Sequence, residues 1–166
     1  MKTTLRPVRE SDDPFLLSLY ASTRAAEMAV VPWSDEQKDA FVKMQFAGQK
    51  SGYANDYPDA QHSIICVDEE PVGRIYLSRS PDSFHILDIT ITVRFRNKGI
   101  GSAVLREILQ EADHASKLAT IYVENFNPSQ SLFERLGFRV ASVKDFSVLL
   151  ERQPSPLIGS AGEERR

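Results

Sequence analysis

A single cysteine, Cys66, stands among 166 residues, so no disulfide can close within the chain, and a reducing, intracellular setting is the expectation. Long hydrophobic runs are also missing: no apolar stretch reaches the roughly 20 residues that cross a bilayer. The opening, Met1 to Arg6, has no signal-peptide core. The expectation is a cytoplasmic protein with no membrane partner. Charge of one sign is scarce as well. Twenty basic and 23 acidic side chains leave a formal net charge of −3, which draws neither nucleic acid nor an anionic surface. The three histidines, His62, His85 and His114, show no metal-ligand spacing with Cys66, so no metal is expected. There is no internal repeat and no G-K-[ST] phosphate loop. A full G-x-G-x-x-G fingerprint is absent too, because Val104 stands three residues after Gly101.

What remains is an ordinary soluble composition, 42% hydrophobic and 26% charged, with the length for one domain and a sizeable core. Residues 1–152 read as that domain. The Pro-, Ser- and Gly-containing stretch 153–166 reads as a disordered tail. Thr3 to Val8 reads as a strand. A helix follows from Ser11-Asp12-Asp13-Pro14 to about Glu27. Ser34-x-x-Gln37 fits a capping box for a second helix to about Gln49, with Phe41, Met44 and Ala47 as its apolar stripe. Gly52 to Ala60 reads as a loop. Strands are expected at Ser63–Val67, Val72–Ser78 and Ser83–Val93, the first two joined by a turn at Asp68-Glu69-Glu70-Pro71.

From Ile100 onward the apolar residues Ile100, Val104, Leu105, Ile108, Leu109 and Ala112 recur at helical spacing. Lys117 to Val123 is strand-like, and Asn127-Pro128 opens a helix that Gly137 closes. Arg139–Val143 and Phe146–Leu150 are the last strands. The order β-α-α-β-β-β-α-β-α-β-β indicates a mixed α/β sheet with helices on both faces. A βαβ unit makes strands 83–93 and 117–123 parallel.

The chemistry gathers at Arg96-Asn97-Lys98-Gly99-Ile100-Gly101-Ser102, between a strand and a helix. Glycines allow unusual dihedrals and close approach of backbone to a ligand. The N–H groups of a helix's first turn lack partners inside it and, with the helix dipole, favour an anion. Arg96 and Lys98 add positive charge. The stretch reads either as a diphosphate cradle or as a plain glycine turn with its basic residues in water.

Ile89-Thr90-Ile91-Thr92-Val93-Arg94-Phe95-Arg96-Asn97-Lys98-Gly99-Ile100-Gly101 resembles the acetyl-CoA signature of the GNAT superfamily of N-acetyltransferases. Asn127-Pro128-Ser129-Gln130-Ser131-Leu132-Phe133-Glu134-Arg135-Leu136-Gly137-Phe138 is similar to that family's other characteristic segment, and Leu5-Arg6-Pro7-Val8 with Asp12 to its first strand and helix entry. The resemblance covers about Thr3 to Leu150 and rests on two motifs in the right order. It implies a mostly antiparallel sheet whose central parallel pair splays to hold acetyl-CoA. It also implies that Arg96, Asn97, Lys98, Gly99, Ile100, Gly101 and Ser102 hold the diphosphate through backbone amides. By the same resemblance Ile89, Thr90 and Ile91 pair with the pantetheine arm. Asn127 would contact the cofactor, cap its helix, or both, and Phe133 would pack against the cofactor arm.

The implied reaction is acetyl transfer to a primary amine, of a small molecule or of a peptide. It requires deprotonation of the ammonium, an oxyanion donor, for which the backbone N–H near Ile91 is the candidate, and protonation of the thiolate. Asp88 is the candidate base, being the only charged residue between Ile86 and Val93; the alternative is a structural aspartate. Glu124 is the second candidate, and His85 also titrates near neutrality. The family's usual acid is a tyrosine where this chain has Phe133. Water, Tyr122 or no acid at all would take its place, and a weakly catalytic CoA-binding module is the alternative that this departure raises. Tyr20, Arg24, Glu27, Met28, Trp33, Phe41, Tyr53 and Tyr57 lie where the family chooses its acceptor. Family members also form homodimers through edge strands.

Overall fold

The computed structural model describes residues 2–125 and 127–156; of the expected tail, 157–166 lies outside the described residues. The elements are β1 (Thr3–Pro7), a 3-10 turn (Glu10–Asp12), α1 (Asp13–Ala29), α2 (Asp35–Asp56), β2 (Gln61–Val67), β3 (Glu70–Arg79) and β4 (Ser83–Ile91). A second 3-10 turn (Val93–Phe95), α3 (Ile100–His114), β5 (Leu118–Glu124), α4 (Gln130–Arg135), β6 (Arg139–Lys144) and β7 (Ser147–Arg152) complete the chain. The strands form a seven-stranded sheet in the order β1-β2-β3-β4-β5-β7-β6. Pairs β1–β2, β5–β7 and β6–β7 are antiparallel, while β4 and β5 run parallel, in register from Ser83↔Leu118 to Ile86↔Ile121. This is the mixed α/β sheet expected from the element order, and the mostly antiparallel one that the resemblance implies. By its internal contacts the chain divides into two compact units, Met1–Tyr76 with Ile89–Lys98, and Leu77–Asp88 with Gly99–Arg166.

The first unit is built on the β2–β3 hairpin and helices α1 and α2. The hairpin turns at Asp68 and Glu69, whose φ values of 48° and 73° are those of a tight two-residue turn. Leu16 of α1 packs with Ile64 and Cys66 of β2, and Val8, Phe15 and Phe46 close over them. Asp12 does not cap α1 with its side chain. It is buried against Arg6 through two bonds of 2.8 and 2.9 Å, and it accepts the Arg9 N–H at 2.8 Å.

Helix α2 departs from expectation twice. Its capping box forms as read, with Ser34 Oγ accepting from Gln37 N–H at 3.2 Å and Gln37 Oε1 accepting from Ser34 N–H at 3.0 Å. The helix then runs on to Asp56, through Gly48 and Gly52, instead of ending near Gln49. Each glycine costs about 1 kcal/mol in a helix. Docking of the last turns, with Tyr53 edge-on to Tyr76 at 5.1 Å, outweighs that cost. The helix stops at Tyr57 because Pro58 disfavours helical dihedrals in the residue before it. Nor do Met44 and Ala47 form an inward stripe: Met44 is 62% exposed and Ala47 is exposed. The inward face is Val42, Gln45, Phe46, Gln49 and Tyr53, buried or half-buried at helical spacing.

In the second unit α3 packs on β5. Its predicted apolar face, Ile100, Val104, Leu105, Ile108, Leu109 and Ala112, is buried throughout. Helix α4 starts at Gln130, with Ser129 as its N-cap, later than the Asn127-Pro128 signal implied. Its end is a Schellman motif: Phe138 N–H donates to the Phe133 carbonyl and Gly137 N–H to the Glu134 carbonyl, at 3.0 and 3.1 Å. Gly137 supplies the positive φ, 101°. The accompanying apolar contact is Phe133 edge-on to Phe138 at 5.4 Å.

Candidate active site

The backbone at the start of α3 presents unpaired helix N–H groups, the donor set an anion needs. Gly99 takes φ 80° and ψ 6°, left-handed dihedrals that favour glycine, and no side chain caps the helix. The ladder opens with Ala103 N–H donating to the Gly99 carbonyl at 3.0 Å. The N–H groups of Ile100, Gly101 and Ser102 therefore precede it, at the positive end of the helix dipole. A methyl built on Gly99 would meet nothing within 4 Å, so the Cβ position of this turn is open. Ile100, at 3% exposure, anchors the turn in the core. A diphosphate fits this donor set.

The first unit carries the end of β4 and the basic part of the loop. Arg96 does not hold its guanidinium free for a phosphate: Nε donates to the Ile91 carbonyl at 2.9 Å and Nη2 to Ser22 Oγ of α1 at 3.4 Å. Lys98 stands over the Phe95 ring at 5.3 Å, and Arg94 stands over the same ring at 4.9 Å while pairing with Glu70. Asn97 turns the chain with φ 61°. Ile89, Thr90 and Ile91, half-buried, end the strand, and Thr92 N–H donates to the Val72 carbonyl at 2.7 Å. Beside them lies Gly73 of β3. A methyl there would be 2.3 Å from the Thr90 carbonyl oxygen. Sequence reading passed Gly73 over, although a lone glycine inside a strand pattern signals close backbone approach.

The titratable candidates of the second unit are spread along β4 and β5. Asp88 is half-buried on β4, and Glu124 is exposed at the end of β5. His85 and Tyr122 come together with Thr120. His85 Nδ1 lies 2.7 Å from Thr120 Oγ1, and the His85 ring is edge-on to Tyr122 at 5.5 Å. Burial lowers the His85 pKa, partly opposed by a hydrogen bond to the Thr120 backbone. Tyr122 is 51% exposed. Asn127 Oδ1 accepts the Ser129 N–H at 2.9 Å, a local turn just before α4. Phe133, at 2% exposure and packed on Phe138, has little surface to offer a ligand. Its place in the core follows from its position in the helix-ending motif. Among the described residues no group of three or more His, Cys, Asp or Glu could hold a metal ion, and no helix is long and apolar enough to cross a membrane.

Residues 18–138 match the Acetyltransferase (GNAT) family, and the chain belongs to it. The L-amino acid N-acetyltransferase AaaT of Escherichia coli K12 is 27% identical over 93 residues, a stretch that spans 51% of this chain and 57% of that relative. Among solved structures, the PaiA N-acetyltransferase of Thermoplasma acidophilum, in complex with coenzyme A, superposes with a TM-score of 0.71 at 17% identity. That likeness covers 92% of this chain and 99% of the other. The ribosomal-protein-S18-alanine N-acetyltransferase of E. coli gives a TM-score of 0.62 at 16% identity, covering 94% and 96%. At these identities the structural likenesses establish the fold.

Proposed function

We propose that the protein transfers an acetyl group from acetyl-CoA to the primary amine of a small molecule. The observation that carries this reading is Gly99 in left-handed dihedrals, which opens α3 with the N–H groups of Ile100, Gly101 and Ser102 ahead of the helix ladder. Acetyl-CoA supplies the activated acyl group. The chain's own part is to hold the diphosphate at that turn and the pantetheine arm along Ile89–Ile91. Arg96 serves the arm indirectly, by fixing the Ile91 carbonyl at 2.9 Å. Asp88 takes the proton from the acceptor ammonium, and Glu124 is the second candidate. Tyr122, half-exposed, is available as the acid that the buried Phe133 cannot be. The match to an L-amino acid N-acetyltransferase supports a small-molecule acceptor.

Calorimetric titration with CoA, followed by thiol release from acetyl-CoA with a panel of amines, tests this reading. Wild-type protein should bind CoA, and Gly99→Val should weaken binding at least tenfold, since a β-branched residue resists positive φ. Asp88→Asn should lower kcat by about 10²–10⁴-fold, the usual contribution of a general base, with CoA affinity unchanged. CoA binding without thiol release for any amine would instead establish a binding module. Release with peptide N-termini alone would establish a peptide acetyltransferase.

A further inference from the structure

The turn after β4 holds three cations, Arg94, Arg96 and Lys98, and each has a different partner. Arg94 pairs with Glu70, and Lys98 stands over the Phe95 ring at 5.3 Å. Arg96 reaches back to the strand that precedes the turn. Phe95 N–H donates to the Thr92 carbonyl at 3.0 Å and Arg96 N–H to the Val93 carbonyl at 3.2 Å, and this 3-10 geometry folds the chain back on itself. Arg96 Nε then donates to the Ile91 carbonyl at 2.9 Å, five residues earlier. Its Nη2 lies 3.4 Å from Ser22 Oγ of α1, whose own hydroxyl donates to the Leu19 carbonyl at 2.6 Å. All of these residues belong to the first unit.

The consequence falls on a single peptide group, to which Ile91 supplies the carbonyl and Thr92 the N–H. The carbonyl accepts from Arg96 at 2.9 Å, and the N–H donates to the Val72 carbonyl at 2.7 Å. A peptide group is planar, so bonds at both of its ends fix its orientation. The Ile91 N–H lies on the other side of the same Cα and inherits that anchorage. An oxyanion donor held in place beforehand needs no reorganisation while charge develops, and this is the source of its effect on rate. Arg96 is exposed, and an exposed arginine gives up rotamer freedom to hold such a pose. Its planar fork directs two bonds at once, to β4 and to α1. Lysine carries a methylene where arginine has Nε.

We infer that Arg96 is a positioning residue for acetyl transfer: it locks the peptide group between Ile91 and Thr92 against Val72, and so holds the Ile91 N–H ready for the oxyanion, with Ser22 steadying its guanidinium. This rests on the acetyltransferase reading above and adds where Arg96 acts, on the reaction step more than on cofactor binding. The side chain works through the backbone, and directed bonds rather than positive charge are its contribution.

Arg96→Lys tests this, because it keeps the charge and removes the Nε donor. With an amine that gives thiol release, kcat should fall about fivefold or more, the scale of one hydrogen bond. The Kd for CoA, from calorimetry, should rise by less than about threefold, and hydrogen exchange of the Thr92 amide, followed by NMR, should quicken about fivefold or more. Were Arg96 a phosphate ligand, lysine would preserve its effect or the loss would fall on CoA affinity. A smaller change in kcat or in Thr92 exchange, or a larger loss of CoA affinity, overturns the inference. Ser22→Ala suits a helix interior, so α1 is kept. It should move kcat and Thr92 exchange in the same directions on a smaller scale, and add nothing once Arg96 is lysine. An effect that adds in full would take Ser22 out of the clamp. Exchange is read without cofactor and so separates the two readings. Faster Thr92 exchange in Arg96→Lys, with no thiol release by wild-type protein for any amine, sinks acetyl transfer and leaves the clamp standing.

Discussion

Gly73 is the residue on which the end of β4 depends most directly. A methyl group there would stand 2.3 Å from the Thr90 carbonyl oxygen and 3.2 Å from the Ile91 Cα. Both are backbone atoms, so no flexible side chain can swing aside. Gly73→Ala should cost about 1–3 kcal/mol, the usual price of forcing atoms into a filled site. It should also raise the KM for acetyl-CoA, because the displaced segment is the one proposed to hold the pantetheine arm. Urea denaturation and initial-rate kinetics check the two halves, and an unchanged midpoint would refute the close approach. Arg96 shows the complementary point. Its place in the signature suggests a phosphate ligand, yet its side chain folds back onto Ile91 and Ser22.

Among the elements, α4 owes its end to one dihedral. Gly137 sits at φ 101°, and a Cβ there would meet only the Arg152 side chain, 3.5 Å away at Nε. The cost of Gly137→Ala is thus conformational, about 1–2 kcal/mol, and thermal melting should show it. Gly137→Asn should recover part of the loss, since asparagine tolerates the left-handed region. If both variants melted with wild type, the Schellman motif would not be holding Phe133 and Phe138 in place. Helices α2 and α3 differ in the same instructive way. The apolar face of α3 is set by spacing alone, whereas α2 turns glutamines inward, which no periodicity rule would choose.

For the whole molecule, His62, His85, Asp12 and Asp113 shape stability on the acid side, His85 being lowered by burial as His62 is. His62 is held below its ordinary 6.5, at about 4, first by burial and then by the charge of Arg74. The folded state therefore binds fewer protons than the unfolded chain as pH falls. Stability is full above pH 6.5 and declines toward pH 4. Asp12 is held from 3.8 down to about 2, chiefly by its hydrogen bonds from Arg6. Asp113 is lowered as well, chiefly by the two bonds from Arg152, of 2.8 and 3.1 Å. Both carboxylates contribute stability above the ordinary carboxylate range and lose it as they protonate. Melting temperature against pH should thus fall in two stages. His62→Gln should shrink the upper stage alone, leaving the part that His85 supplies, and Asp12→Asn should lower the plateau while flattening part of the lower one. An upper stage undiminished in His62→Gln would remove His62 as a cause of it.

The sequence by itself determined the order of elements, the parallel β4–β5 pair, the Ser34 capping box, the glycine turn before α3 and the buried face of that helix. Each is written in contiguous residues: a dihedral only glycine adopts readily, a cap three residues from its partner, a hydrophobic period. Tertiary structure decided the rest. It carried α2 seven residues past Gln49, because Tyr53 found Tyr76 across the chain. It turned Gln45 and Gln49 inward, put Phe133 in the core, bent Arg96 back onto Ile91 and pressed Gly73 against Thr90. These outcomes are settled by partners distant in sequence, and local propensity carries no record of which partner a side chain will meet.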